Sequence, residues 1–77
     1  MTVHIQIKLY ANLNAFTPAG AENYAIEKGS TIGELLDKLN IPKEKVRLIF
    51  INNLKGELYS VLSGGERIGI FPPLGGG

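Results

Sequence analysis

The segment from Thr31 to Leu39 constrains the fold most, because it is the clearest helix in the sequence and is too short to be stable alone. Thr31 and Glu34 have the spacing of a capping box. The apolar side chains of the segment recur at i, i+3, i+4 and i+7, and they are Ile32, Leu35, Leu36 and Leu39. Glu34 and Lys38 have the spacing of a favourable ion pair, and Pro42 stops the helix. A helix of about nine residues is marginal in water, so its apolar face must pack on a sheet.

Two segments before the helix have the patterns of strands. Residues 3–10 alternate, with Val3, Ile5, Ile7 and Leu9 on one face and His4, Gln6, Lys8 and Tyr10 on the other. A second, weaker strand is predicted at about 22–27, with Tyr24 and Ile26 directed inward. Residues 11–21 between them are expected to form a loop with one helical turn.

The segments that follow the helix predict a central strand and a short irregular element. Residues 46–51 are apolar apart from Arg47, which is typical of a central strand covered on much of both faces. Residues 54–62 fit either a short edge strand or a helical turn, with Leu58 and Leu62 as its buried side chains.

A turn and a last strand are predicted before the end of the sequence. Ser63-Gly64-Gly65-Glu66 is typical of a turn, and residues 67–71 alternate. Ile68 and Ile70 are expected to face the core, and Arg67, Gly69 and Phe71 to face outward. The order is therefore β-β-α-β-short element-β. It indicates an α+β fold, in which the helix packs across one face of a single sheet of four or five strands.

Composition excludes several kinds of site. The sequence has no Cys, so disulfides, thiolate metal sites and a Cys nucleophile are excluded. His4 is the only histidine and lies on the polar face of a strand, so we predict no metal site. The seven acidic residues show no pairing that suggests acid–base catalysis. A net charge of +1 argues against strong attraction to nucleic acid or to an anionic membrane. With no membrane span and no signal-peptide pattern, a cytoplasmic location is the expectation.

The last residues of the sequence, Phe71-Pro72-Pro73-Leu74-Gly75-Gly76-Gly77, suggest a tail that reacts through its end. Pro72 and Pro73 fix φ and lack N–H donors, which favours an extended segment that leaves the sheet. Glycine has no Cβ, so Gly75 and Gly76 can pass through a narrow channel and present the carboxylate of Gly77. A cloning scar or a linker would also be rich in glycine, whereas simple fraying would not explain why glycine alone occupies the end.

The chain resembles the ubiquitin-like β-grasp fold and, more narrowly, a prokaryotic sulfur-carrier family. That family (MoaD/ThiS) includes the small subunit of molybdopterin synthase and the sulfur carrier of thiamine biosynthesis. The resemblance rests on Lys8-Leu9-Tyr10-Ala11, on Thr31-Ile32-Gly33-Glu34-Leu35-Leu36 and above all on residues 63–77, with their turn, last strand, Phe-Pro-Pro and terminal glycines. It implies a β-grasp domain over residues 1–71 and a flexible tail over residues 72–77.

The resemblance also implies a function as a carrier and not as an enzyme. An E1-like adenylyltransferase would use ATP and Mg²⁺ to adenylate the carboxylate of Gly77, and sulfur from a persulfide would then give a thiocarboxylate. The carrier itself would bind no cofactor. A sulfur-acceptor enzyme, such as the large subunit of molybdopterin synthase, would take the sulfur. Pro72, Pro73, Leu74, Gly75 and Gly76 would thread the tail into these enzymes. Phe-Pro-Pro points to the molybdopterin branch more than to the thiamine branch.

Tyr10 and Phe71 fall on the outward register of strands that are neighbours in this fold, beside the tail. We interpret them as a hydrophobic docking patch for the partner enzymes, although aromatic residues also occur on ordinary surfaces.

Three alternative functions remain open from the sequence. The tail could form an isopeptide bond with a lysine, as in a ubiquitin-like modifier, because conjugation begins with the same adenylate. The sulfur could instead serve thiazole, tRNA or amino-acid synthesis. An RNA-binding β-grasp module is disfavoured, because the composition supplies no strongly basic face and that function leaves the glycines unexplained.

Overall fold

A mixed sheet with one α-helix across one of its faces forms the body of the protein. The computed structural model describes residues 1–73. Within them the strands are β1 (Thr2–Leu9), β2 (Tyr24–Glu27), β3 (Leu48–Ile51), β4 (Leu54–Lys55) and β5 (Arg67–Phe71), and the helix is α1 (Ile32–Lys38). The five strands have the order β2-β1-β5-β3-β4. β1 and β5 are parallel, and the other neighbouring strands are antiparallel. The predicted α+β, β-grasp fold class is confirmed.

Two neighbouring strands inside the sheet, β1 and the middle strand β5, supply much of the core. Their register pairs Ile7 with Ile68 and Leu9 with Ile70, so each strand presents its apolar residues to the same face. α1 covers that face. The buried apolar side chains are Ile5, Ile7, Leu9, Leu13, Ile26, Ile32, Leu35, Leu36, Leu39, Ile41, Ile49, Leu62, Ile68 and Ile70. The period-two alternation predicted for residues 3–10 and 67–71 is therefore confirmed.

The capping box at the start of α1 forms as predicted. Glu34 donates its backbone N–H to Oγ1 of Thr31 at 3.2 Å, and Oε1 of Glu34 accepts the N–H of Thr31 at 2.8 Å. These bonds satisfy backbone donors that the first turn of a helix leaves without intrahelical partners.

The predicted Glu34–Lys38 ion pair is wrong. The Glu34 carboxylate is held at the start of the helix by Thr31, and Nζ of Lys38 donates instead to the carbonyl of Ala25 at 3.0 Å. The same ammonium group lies 5.1 Å from the ring centroid of Tyr24. The capping box therefore directs the Glu34 carboxylate away from Lys38, and the Lys38 ammonium group donates to the carbonyl of Ala25 in the edge strand β2.

β3 is shorter than the sequence predicted and is covered on only one face. It begins at Leu48 and lies between β5 and the two-residue β4, because β5 enters the sheet between β1 and β3. Only Ile49 of this strand is fully buried, whereas Leu48 is exposed and Phe50 is half-buried on the open face. The apolar run was therefore not evidence of burial on both faces.

Residues 54–62 contain an edge strand and a coil. Asn52 and Asn53 have φ of 53° and 68° and turn the chain from β3 into β4. Leu62 is fully buried, as predicted, but Leu58 is 39% exposed, so its predicted anchoring role is wrong. Leu58 contributes its backbone instead, because its carbonyl accepts the N–H of Gly33 at 2.9 Å.

The loop between β1 and β2 contains two 3₁₀ helices, Ala11–Phe16 and Ala21–Asn23. The predicted single helical turn is therefore an underestimate. Leu13 in the first of these helices is buried in the core, which the sequence pattern did not reveal.

Candidate functional site

β5 leads the chain from the middle of the sheet to the predicted tail. It ends at Phe71, whose carbonyl accepts the N–H of Arg47 at 2.8 Å. Pro72 and Pro73 follow outside any strand and are half-buried. The other residues of the predicted threading and adenylation sites, Leu74, Gly75, Gly76 and Gly77, lie outside the described residues.

Tyr10 and Phe71 are in direct contact, as their predicted positions on neighbouring strands require. Their rings are stacked, with centroids 4.1 Å apart and planes inclined by 5°. The backbone N–H of Tyr10 donates to the carbonyl of Ile70 at 3.1 Å, which extends the β1–β5 pairing by one residue. Both side chains are half-buried on the face of the sheet opposite α1.

Phe50 is a third member of this aromatic cluster, which the sequence pattern did not reveal. Its ring meets that of Phe71 edge-to-face, with centroids 5.7 Å apart and planes inclined by 87°. The β3–β5 register pairs Phe50 with Gly69, so Phe50 belongs to the open face. The sequence carried no signal that separated the two faces of this strand, because residues 46–51 are apolar apart from Arg47.

Gly69 lies beneath the aromatic cluster. It pairs with Lys8 on one side and Phe50 on the other. A Cβ placed on Gly69 would lie 3.5 Å from the Tyr10 ring, in ordinary van der Waals contact. Tyr10 therefore packs directly over Gly69, within van der Waals reach of where a Cβ would stand.

A groove of about 1140 Å³ runs along this open face. Its volume slightly exceeds that of ordinary small-molecule pockets, which occupy about 300–1,000 Å³. The aromatic cluster, Lys8 and Arg67 line the sheet side of the groove, and the loop carrying Asn14 and Thr17 lines another side.

Glu66 is a buried carboxylate that the sequence analysis did not single out. Its side chain is only 9% exposed. The carboxylate accepts the N–H of Ser63 at 2.8 Å, the hydroxyl of Ser63 at 3.1 Å and the N–H of Gly64 at 2.7 Å. Gly64 and Gly65 have φ of 114° and 83°, which favours glycine at both positions.

The pKa of Glu66 lies below its ordinary value. Burial raises this pKa, but the hydrogen bonds from Ser63, Gly64 and its own backbone N–H lower it by more. Glu66 is therefore charged at neutral pH, and it holds the turn that leads into β5.

The described part of the chain contains no cluster of three or more His, Cys, Asp or Glu residues suited to a metal ion. His4 is exposed. No helix within residues 1–73 is long and apolar enough to cross a membrane.

Solved structures of three archaeal proteins share this fold. The Haloferax volcanii HVO 2177 protein matches with a TM-score of 0.75 and 17% identity over 99% of this chain and 88% of its own. Small archaeal modifier protein 1 of H. volcanii matches with a TM-score of 0.68 and 19% identity, over 94% of this chain and 99% of its own. A candidate molybdopterin converting factor subunit 1 from Pyrococcus furiosus matches with a TM-score of 0.65 and 19% identity, over the same shares.

The resemblance to ubiquitin-like carriers predicted from the sequence is confirmed in the fold, which these structures share. No curated protein matches the sequence. The family model described as Mut7-C ubiquitin matches residues 2–74, which include all five strands and the helix. This chain therefore belongs to the Mut7-C ubiquitin family.

Proposed function

We propose that the protein is a sulfur carrier that an E1-like adenylyltransferase activates, with ATP and Mg²⁺, at the α-carboxylate of Gly77. The observation that carries the proposal is the attachment of Phe71 at the end of a middle strand. Its ring contacts Tyr10 and Phe50, and its carbonyl binds Arg47. A tail that starts from so rigid a point has its first residues oriented for entry into a partner's channel.

The chemistry explains why glycines follow. A carboxylate oxygen attacks the α-phosphorus of ATP, and pyrophosphate leaves. The terminal sulfur of a donor persulfide then attacks the acyl carbon, and AMP leaves. A thiol reduces the sulfur–sulfur bond, which frees the thiocarboxylate and leaves the donor in a disulfide. These steps require ATP, the donor persulfide and the thiol to come close to the C-terminal carboxyl group, and glycine removes the side chains that would obstruct them.

The favoured acceptor is an enzyme of molybdopterin or tungstopterin synthesis, similar to the large subunit of molybdopterin synthase. Phe71-Pro72-Pro73 and the likeness to the P. furiosus protein support this choice. In this function the chain is a protein substrate and supplies no catalytic group of its own. We propose that Tyr10 and Phe71 form the docking patch for both enzymes.

Conjugation to other proteins is the second candidate function, and the likeness to small archaeal modifier protein 1 favours it. The adenylate would be the same, but the nucleophile that completes the reaction would be a lysine amine. Thiazole, tRNA and amino-acid synthesis remain further acceptor pathways for the carrier function.

Mass spectrometry of the protein from its native cells tests the proposal. A carrier gives a chain that ends at Gly77 and a second form heavier by one oxygen-to-sulfur exchange. A modifier gives isopeptide-linked species of higher mass. A native chain that continues beyond Gly77 without processing would overturn both functions.

A truncated chain tests the first chemical step. Removal of Gly76 and Gly77 should abolish pyrophosphate exchange by the E1-like adenylyltransferase of the same organism. The fold should survive, because the buried cluster lies within residues 1–73. Removal of Gly77 alone is the matched variant, since it leaves two of the three glycines. If the chain that lacks only Gly77 supports pyrophosphate exchange at the full-length rate, the carboxylate of Gly77 is not the required site.

A further inference from the structure

Two cations on the open face have no acidic partner in the part of the chain that the structure describes. Lys8 pairs with Gly69 across β1 and β5, and Arg67 pairs with Gln6 one step earlier. Both side chains are exposed and line the groove. The ion pairs within residues 1–73 involve other groups, such as Lys43 with Asp37 and Lys55 with Glu57.

The aromatic rings of the same face are already occupied by one another. One face of Tyr10 stacks on Phe71, and Nζ of Lys8 lies 5.9 Å from the Tyr10 ring centroid. Phe71 also receives Phe50 edge-to-face. Binding of single-stranded nucleic acid relies on free ring faces on which bases stack. These rings are packed together, so they favour contact with apolar side chains over base stacking.

The groove therefore combines an apolar cluster with adjacent unpaired positive charge. Glu22 is the one acidic residue among its lining residues, and it lies on the loop side of the groove. A partner surface that is complementary to the groove presents an apolar side chain flanked by carboxylates. Complementary charge at the rim of an interface favours encounter with the correct partner.

We propose that Lys8 and Arg67 select an acidic docking surface on the activating enzyme, one that presents carboxylates around an apolar side chain seated against Tyr10 and Phe71. This inference rests on the proposed function and specifies the chemistry of its partner. The apolar contact supplies much of the complex's lifetime, and the two cations accelerate association at low ionic strength.

The test is pyrophosphate exchange by the E1-like adenylyltransferase of the same organism, measured against carrier concentration. The variants are Lys8→Glu, Arg67→Glu and the double reversal. Lys28→Glu is the matched control, because Lys28 is an exposed cation beyond the end of β2 and its backbone N–H binds Met1 at the opposite end of β1 from Tyr10. Lys8→Arg tests whether a side chain that keeps the positive charge at this position preserves the KM of the parent protein.

Each reversal on the open face should raise KM by about tenfold with kcat unchanged, because carboxyl chemistry at Gly77 is untouched. The rise should shrink in high salt, which screens exposed charges. Lys28→Glu and Lys8→Arg should keep the KM of the parent protein. An unchanged KM in the double reversal would overturn the inference.

The outcome separates this inference from the proposed function. If the parent chain is adenylated and the double reversal is adenylated with the same KM, only the acidic docking surface is wrong. If the parent chain is not adenylated at all, the carrier proposal and this inference both fail. Binding of a labelled single-stranded oligouridine tests whether the open face recognises nucleic acid instead. Saturable binding of this RNA at about 0.1 M salt, lost in the double reversal, would assign the face to nucleic acid.

Discussion

The ring of Tyr10 lies parallel to that of Phe71 at a centroid distance of 4.1 Å and joins the ends of the neighbouring strands β1 and β5. Tyr10 leans over Gly69, where a Cβ would lie 3.5 Å from its ring. The same pair is therefore both a structural contact between β1 and β5 and the most prominent apolar feature beside the predicted tail.

The Tyr10–Phe71 stack should be measurable as a coupling free energy. In a double-mutant cycle with Tyr10→Ala and Phe71→Ala, we expect the loss of unfolding free energy in the double variant to differ from the sum of the two single losses by about 0.5–1.5 kcal/mol. Chemical denaturation of the four proteins provides the measurement. Tyr10→Ala combined with Tyr59→Ala is the control cycle, because Tyr59 is highly exposed and takes no part in the stack, so that pair should be additive. Additivity in the first cycle would mean that the stack contributes no energy of its own.

The core prediction concerns Leu36, whose side chain is fully buried between α1 and the sheet. Leu36→Ala should lower the unfolding free energy by about 2–5 kcal/mol, because it removes apolar contacts and leaves a cavity. This is a large share of the stability of so small a domain. Val61→Ala is the matched control, since Val61 is 63% exposed, and it should cost about 0.5 kcal/mol or less. Equal losses for the two variants in urea denaturation would contradict the assignment of the buried helix face.

Glu66 should make the protein sensitive to acid. Its folded-state pKa is lowered, so the stabilisation that it contributes is present above the unfolded pKa of about 4.3 and is lost as pH falls through the lower folded value. Glu66→Gln should therefore reduce the thermal midpoint at pH 7 and flatten its decline as pH falls below about 4.3.

Thermal denaturation across this pH range is the measurement for Glu66. Glu44→Gln, at an exposed carboxylate outside the turn, should leave both the midpoint and its pH dependence close to those of the parent protein. A parallel acid decline in Glu66→Gln and the parent protein would show that other carboxylates cause it.

The sequence predicted the elements whose local signals agree with their tertiary surroundings. The capping box at Thr31, the alternation of β1 and the last strand all follow from hydrogen bonding and periodicity within a few residues. Features that depend on sheet order were not predictable in this way. Phe50 joins the aromatic cluster on the open face only because β5 lies beside β3, and Leu58 contributes its backbone carbonyl to Gly33 while its side chain stays exposed.

The candidate site was predictable in part for the same reason. The alternation of β1 and β5 placed Tyr10 and Phe71 on one face, but it gave no information about how their rings pack. Glu66 carried no pattern that distinguished it from a surface carboxylate, because its burial depends on the folding of the preceding glycine turn around it.

The edge of the sheet at β2 is covered by side chains that bind its carbonyl groups. Nζ of Lys38 donates to the carbonyl of Ala25, and the hydroxyl and backbone N–H of Ser30 both donate to the carbonyl of Glu27. Exposed strand edges pair readily with other chains, and lysine is a common protection against such pairing. Lys38→Ala should therefore leave the fold intact but increase self-association at high protein concentration.

Sedimentation velocity over a range of concentrations tests this role of Lys38. The parent protein and Lys45→Ala, which removes an exposed lysine from the loop before β3, should sediment alike and show less association than Lys38→Ala. Lys38→Arg should behave as the parent protein, because its guanidinium can still donate to the carbonyl of Ala25 and lie near the ring of Tyr24. Association of Lys45→Ala to the same extent as Lys38→Ala would show that lost charge, and not the opened edge of β2, is the cause. If Lys38→Ala sediments like the parent protein at every concentration, the edge does not depend on this side chain.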